Sequence, residues 1–180
     1  MFLKSLIIHE NLENYFYFID IYGNIYHIDQ INRKILNELQ QDGTLSVSEI
    51  ADRVGLSTSP CWRRIQNLEE SGVITKRVAL LNPDKLNVGV TVFVRIKTNQ
   101  HSYEWLEDFA KEIEKIDEVV EFYRMSGDID YLLRVVVPDI EGFDAVYKRL
   151  ISVADLADVS SNFAMEKIKY TTALPLNYAN

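Results

Sequence analysis

Residues 57–72 read STSPCWRRIQNLEESG and predict a helix with two distinct faces. Counting about 100° per residue, apolar side chains recur at i, i+4 and i+7 on the face that should meet a core. This apolar stripe consists of Cys61, Ile65 and Leu68. The far face carries Ser59, Arg63, Gln66 and Asn67, and Trp62 and Arg64 flank the stripe. The segment therefore predicts an amphipathic helix whose outward face is polar and basic.

Two shorter helical patterns precede this helix, and a strand pattern follows it. The first helix begins after an N-cap at Asp29 and runs to about residue 40. The second begins after Ser46, with Glu49 at the spacing of a capping box, and ends at a glycine. Residues 73–81 read as a strand. This order predicts a winged helix-turn-helix, although many small helical bundles share the spacing.

The local charge of this region differs from that of the whole chain. The 180-residue chain has a net charge of −8, yet residues 29–77 are neutral, residues 1–28 carry −2 and residues 78–180 carry −6. No carboxylate occurs between Asp52 and Glu69. Binding surfaces follow local patches of charge, and phosphates disfavour carboxylates at their contacts. An ordinary solvated helix face is the alternative, but the helix-turn-helix spacing favours a DNA recognition helix.

The predicted DNA contacts combine the outward face of this helix with the basic pair that follows it. They are Thr58, Ser59, Trp62, Arg63, Arg64, Gln66, Asn67, Lys76 and Arg77. Guanidinium and amide groups can read base edges in a major groove, and hydroxyls can assist them. Cys61 lies on the apolar stripe, so a buried, inert thiol is expected rather than a redox sensor. Trp62 is expected to pack or to contact the DNA backbone, not to intercalate.

The amino-acid composition narrows the classes of protein to which this chain could belong. A single cysteine excludes an internal disulfide framework, and three scattered histidines show no metal-ligand spacing. No apolar run approaches the ~20 residues of a membrane helix, and no secretory signal is recognisable. We therefore expect a soluble, cytoplasmic protein with no metal or other cofactor and no membrane partner. An enzyme is the competing class, but no catalytic constellation or glycine-rich phosphate loop appears.

The chain beyond residue 87 has a different pattern. Strands and helices follow in the order βαββαβ, the ferredoxin-like arrangement. The predicted strands are 88–97, 119–125, 131–137 and 159–170, and the predicted helices are 102–116 and 140–153. Alternate residues from Val88 to Ile96 give one sheet face more apolar surface than two helices should need. This surplus indicates that subunits pair.

The N-terminal 28 residues fit neither half of the chain. They are rich in tyrosine and have no consistent period, so an added strand, a dimer arm and an upstream extension of a start near His27 all stay open. The predicted division is an extension at 1–28, a DNA-binding domain at 29–81, a linker at 82–86, a ferredoxin-like domain at 87–176 and a tail at 177–180.

Four segments in this order are together highly specific: IDQINRKILNELQQDG, LSTSPCWRRIQNLEESGVI, VALLNP and SGDIDYLLRVVVPD. They resemble the leucine-responsive regulator/asparagine regulator (Lrp/AsnC) family of bacterial and archaeal transcription factors, over about residues 28–176. TSPCWRR, RVALL, EFYRMSGDIDYL and SSNFAMEKIKYTTALP are similar to its cysteine-responsive subgroup, whose members activate cysteine-detoxification genes. The long N-terminal extension departs from the family pattern.

This resemblance implies an α+β protein in which a winged helix-turn-helix is joined to a ferredoxin-like effector domain. It also implies homodimers that form through the sheets and assemble into larger even-numbered oligomers. The implied function is sequence-specific transcriptional regulation modulated by a small amino acid, with cysteine suspected. An architectural DNA-binding protein without an effector is the alternative.

The resemblance further implies an amino-acid site between subunits, near the predicted hairpin loop. Its residues would be Arg124, Met125, Ser126, Gly127, Asp128, Asp130 and Tyr131. Gly127 permits close backbone approach, backbone N–H groups can hold a carboxylate, and Asp128 or Asp130 can accept hydrogen bonds from an ammonium group. Without the resemblance, SGDID is a plain hairpin turn.

Overall fold

The computed structural model describes residues 28–179 and, before them, the backbone of three short strands. These strands are β1 (Ile7–His9), β2 (Tyr17–Ile19) and β3 (Ile25–Tyr26). They pair antiparallel in the order β1-β2-β3. The other residues of 1–27, and residue 180, lie outside the described part. The three alternatives for the N-terminal extension therefore stay open.

Three helices form the first compact unit: α1 (Gln30–Gln41), α2 (Val47–Val54) and α3 (Thr58–Glu70). The carboxylate of Asp29 accepts the N–H of Asn32 at 2.7 Å and so caps α1. The predicted capping box is present, because Ser46 and Glu49 each accept the other's backbone N–H. Gly55 ends α2 with φ of 75°, a left-handed conformation that glycine adopts without a steric penalty.

The core of this unit contains the apolar stripe predicted for α3. Cys61, Ile65 and Leu68 are 0%, 1% and 4% exposed. They pack with buried residues of α1, α2 and the loop between them: Ile35, Leu36, Leu45, Ile50, Ala51 and Val54. Burying an Ile or Leu side chain stabilises a fold by about 1.5–3 kcal/mol. This packing fixes which face of α3 points outward.

The predicted strand at residues 73–81 is not formed. Val73 and Ile74 pack against the helical core, and the Ile74 N–H donates to the carbonyl of Leu68 at 2.9 Å. Beyond them the chain is irregular as far as residue 82, and no described segment pairs with it. The exposed apolar side chains of this stretch are Val78, Leu80 and Leu81. A strand depends on its ladder partner, so an alternating sequence without one does not form a sheet.

The second unit has the predicted βαββαβ order. Its elements are β4 (Val90–Lys97), α4 (Tyr103–Ile113), β5 (Val119–Arg124), β6 (Tyr131–Val137), α5 (Ile140–Val153) and β7 (Asp158–Phe163). The strands form one antiparallel sheet in the order β5-β6-β4-β7. None of the helices in the described residues is long and apolar enough to cross a membrane.

Helices α4 and α5 cover one face of this sheet. Val92, Val94 and Ile96 are fully buried in a cluster that includes Phe109 of α4 and Val146 of α5. The inference that this face has surplus apolar surface is therefore wrong, because the two helices cover it. A second subunit that packs face to face on this sheet would therefore meet the opposite, open face.

The last predicted strand is shorter than expected, since β7 ends at Phe163 rather than at residue 170. Pairing stops where the N–H of Ala164 donates to the carbonyl of Thr91, one residue inside the start of β4. The predicted division kept residues 87–176 together, whereas the chain from Tyr170 onward groups with the helical unit. There the side-chain amide of Gln40 accepts the N–H of Leu174 at 2.7 Å and donates to its carbonyl at 3.2 Å.

Candidate functional site

The outward face of α3 is exposed, as its register predicts. Trp62 is 54% exposed, and Thr58, Ser59, Arg63 and Asn67 are also exposed. Arg64 and Gln66 are half-buried, and Lys76 and Arg77 lie exposed beyond the helix. Ser59, Arg63 and Asn67 therefore share one open, polar surface, and Trp62 lies at its edge. A groove of DNA could reach this surface without rearrangement of the core.

Arg64 differs from its neighbours because its side chain forms hydrogen bonds with residues at the start of α1. Its Nη1 lies 2.7 Å from the Oδ2 of Asp29 and donates to the Oδ1 of Asn32 at 2.9 Å. The other oxygen of Asp29 caps α1. The sequence predicted Arg64 as a DNA contact, and the structure places its guanidinium in a contact between helices.

Glu69 is a residue that sequence reasoning missed. Its Oε2 accepts the side-chain N–H of Gln66 at 3.1 Å, and its Oε1 lies 2.8 Å from the Nη2 of Arg77. Two predicted DNA contacts are thus joined through one carboxylate. The i, i+3 spacing of Gln66 and Glu69 on a helix is the signal that could have revealed the first of these bonds.

The thiol of Cys61 lies beneath this surface. Burial raises the pKa of Cys61, and the nearby charge of Arg64 offsets the increase in part. The thiol is therefore protonated at neutral pH and closed to solvent, as the apolar stripe predicted.

The residues implied to bind an amino acid lie in the loop between β5 and β6 and at the strand ends beside it, Arg124 and Tyr131. Arg124, Met125, Ser126, Gly127 and Asp128 are exposed. Gly127 has φ of 113°, in the region that favours glycine, and a Cβ built there would meet no atom within 4 Å. The loop therefore offers open backbone that a small ligand can approach closely.

Asp130 and Tyr131 stabilise the fold around this loop. The Oδ2 of Asp130 accepts the N–H of Thr98 at 2.8 Å, and the Asp130 N–H donates to the carbonyl of Ile96 at 3.0 Å. These bonds anchor the loop to the end of β4. Tyr131 is 4% exposed among the rings of α4 and β5, and burial raises its pKa. The structure therefore separates the buried Tyr131 from the five exposed residues of the loop.

The open face of the sheet is the second exposed surface of this unit. Glu121 and Arg134 form an ion pair of 2.6 Å there, and the hydrogen bond from Arg134 lowers the pKa of Glu121. Phe93 is 38% exposed beside them, and Tyr123 is 49% exposed. An ion pair flanked by aromatic side chains is a mixed surface typical of a protein interface.

Comparison with known families agrees with this architecture. Residues 28–75 match the family described as "Winged helix-turn-helix DNA-binding", and residues 91–174 match "Lrp/AsnC ligand binding domain". The chain is 51% identical over 150 residues to the DNA-binding transcriptional activator DecR of Escherichia coli K12, covering 83% of this chain and 99% of DecR. It is 48% identical over 149 residues to the glutamate uptake regulatory protein of Zymomonas mobilis, covering 83% and 91%.

Two solved structures share the fold of both units. An AsnC family transcriptional regulator from Agrobacterium tumefaciens is 63% identical with a TM-score of 0.81, over 83% of this chain and 98% of that chain. A transcriptional regulator from Neisseria meningitidis in complex with L-Met is 37% identical with a TM-score of 0.81, over 86% and 100%.

A helix-turn-helix unit followed by a ferredoxin-like ligand-binding domain defines a DNA-binding transcriptional regulator. The chain belongs to the Lrp/AsnC family of such regulators, which confirms the resemblance seen in its sequence. Its named relatives are a transcriptional activator and a regulatory protein.

Proposed function

We propose that the outward face of α3 enters the major groove of double-stranded DNA and that Arg63 reads base edges there. The exposed surface without a carboxylate over its first three turns is the observation that carries this proposal. Thr58, Ser59, Trp62 and Asn67 lie on or beside the same face, and Lys76 is exposed beyond the helix. Such a regulator works in the compartment that holds the DNA, which supports a cytoplasmic location.

Arg64 contributes to DNA binding by position rather than by direct contact. Asp29 and Asn32 hold its Nη1 at 2.7 and 2.9 Å, so only the N–H groups of Nε and Nη2 are left for a phosphate. Holding α3 against the start of α1 keeps the exposed face of α3 in a fixed orientation.

The effector is a small amino acid bound at the β5–β6 loop, with no further cofactor. The L-Met complex of the N. meningitidis regulator supports this class of ligand, and similarity to the cysteine-responsive subgroup makes cysteine the first to test. Backbone N–H groups around Gly127 can hold the α-carboxylate, and Asp128 can accept from the ammonium group. Asp130 serves as the anchor that holds this loop in place.

The regulator acts as a homodimer and in larger even-numbered assemblies. The open sheet face, with Phe93, Tyr123 and the Glu121–Arg134 pair, is the surface that we assign to subunit pairing. A two-fold dimer would read DNA half-sites that are related by the same axis.

Calorimetry with each of the twenty amino acids, followed by DNA titrations with any that bind, tests the regulatory part of this function. Cysteine or another small amino acid should bind and change DNA affinity. Gly127→Val should reduce the response, because a β-branched residue is strained at φ of 113° and covers the open backbone. Asp117→Ala, at an exposed acid in another loop, is the matched control.

Two results would contradict the effector proposal. One is that no amino acid binds, in which case the architectural alternative stands. The other is that Gly127→Val responds as the wild type does, in which case the loop is merely a turn. DNA binding without an amino acid should be the same in all three proteins.

A further inference from the structure

We propose that Gln66 recognises an adenine through both atoms of its amide, and that Glu69 is the positioning residue that orients this amide before DNA binds. The inference deepens the proposed role of α3 and rests on it. It concerns the contact that Glu69 makes with both Gln66 and Arg77.

The contact with Glu69 determines which end of the amide points outward. The Gln66 side-chain nitrogen lies 3.1 Å from the Oε2 of Glu69. A carboxylate accepts hydrogen bonds and cannot donate, so the nitrogen of the amide must face Glu69. The amide oxygen and the second N–H of Gln66 are left to face a partner. Glu69 thereby selects one of the two amide orientations.

The position of Gln66 on α3 places this donor and acceptor near DNA. Gln66 lies three residues after Arg63 and four after Trp62, on the same side of the helix, and about 130° from the apolar stripe. Adenine presents an N7 acceptor and an N6 donor in the major groove, which match one N–H and the oxygen of an oriented amide. A glutamine held by Glu69 loses less rotamer freedom on binding than one that is unrestrained.

Arg77 explains how a carboxylate can stay close to a DNA-binding surface. Its Nη2 lies 2.8 Å from the Oε1 of Glu69, the oxygen that Gln66 does not use. The positive charge of Arg77 offsets that of Glu69, so the pair presents no net charge to a phosphate. Arg77 therefore acts through Glu69 rather than as an independent DNA contact.

The test is in vitro selection from a random duplex DNA library with full-length wild type and four variants. Gln66→Ala should lose an adenine preference at one position of each half-site and keep the others. Glu69→Ala should reduce the preference at that same position by about tenfold, within the range expected for a bidentate base contact. Glu69→Gln should retain most of it, because the new amide oxygen can still accept from Gln66.

Glu70→Ala is the matched control, since it removes the same charge from the adjacent exposed residue. It should raise affinity for all duplexes slightly and leave the base preference unchanged. The inference is overturned if Gln66→Ala keeps every preference, or if Glu69→Ala and Glu70→Ala give the same profile. A wild type without any base preference would instead refute the proposed role of α3.

Discussion

Asp29 and Arg64 lie 35 residues apart in sequence, yet the Oδ2 of Asp29 and the Nη1 of Arg64 are 2.7 Å apart. The same carboxylate caps α1 through its Oδ1. One side chain thus begins the first helix and holds the third. This ion pair therefore connects the start of the helical unit to α3, whose outward face we propose as the DNA-binding surface.

Arg64→Ala should lower the free energy of unfolding by about 1 kcal/mol. The side chains of Arg64 and Asp29 are about one-third exposed, so solvent screens the ion pair, and the lost hydrogen bonds account for most of the effect. Arg63→Ala is the matched control, because its side chain is exposed on the far face of α3. Urea unfolding compares the two. Equal stability of both variants would show that the contact with Asp29 contributes nothing.

Cys61 should react with a thiol reagent only when the protein unfolds. The thiol is fully buried and its pKa is raised, so little thiolate is present or accessible at pH 8. Labelling with an aromatic disulfide should be slow in buffer and fast in urea. Rapid labelling of the folded protein would contradict the buried position.

The raised pKa of Cys61 also predicts how stability changes with pH. Because the folded thiol holds its proton more tightly than the unfolded one, its contribution is complete below the unfolded pKa and falls as pH rises above it. Cys61→Ala should therefore lose less stability than the wild type between neutral and alkaline pH. Parallel loss in both proteins would exclude this contribution.

Gln40→Ala should destabilise the helical unit, because its amide makes two hydrogen bonds with the backbone of Leu174. Their loss should cost about 1 kcal/mol at this exposed site. Leu174→Ala is the control: its side chain is 73% exposed and its backbone would keep both bonds. Thermal unfolding should separate the two variants. If both unfold like the wild type, the C-terminal segment does not stabilise this unit.

Phe93→Asp should weaken the proposed dimer. The substitution places a charge on the open face of the sheet, near the Glu121–Arg134 pair. Ile140→Asp is the control, because Ile140 is 74% exposed at the start of α5. Light scattering at micromolar concentration should show an even-numbered assembly for wild type and control and smaller species for Phe93→Asp. A monomeric wild type would contradict the assembly proposal.

Local chemistry explains why some of this fold was predictable. Capping at Asp29 and Ser46 and the spacing of Cys61, Ile65 and Leu68 depend on near neighbours, and all are confirmed. The strand predicted at 73–81 depended on a partner that no described segment supplies. The partners of Arg64 and Gln40 lie 35 and 134 residues away, so no sequence spacing reveals them.

In the loop between β5 and β6, too, the sequence predicted local features but not contacts between distant residues. Its turn residues were recognisable, and Gly127 has a φ of 113°, in the region that favours glycine. Two features of the loop depend on how β5 and β6 pair and pack. One is the hydrogen bond between Asp130 and Thr98, which lie 32 residues apart, and the other is the burial of Tyr131 in the core. The sequence YLLRVVV of 131–137 does not alternate, although burial does alternate along β6 in the structure.

The affinity of Arg63→Ala for DNA tests the central claim most directly. Anisotropy titrations should compare wild type and variant on a selected duplex and on a scrambled one, at a single salt concentration. If Arg63 reads a base, the variant should lose about 1–3 kcal/mol on the selected duplex and much less on the scrambled one, with unchanged stability. Equal affinities of wild type and Arg63→Ala for the selected duplex would contradict the assignment of α3 as the recognition helix.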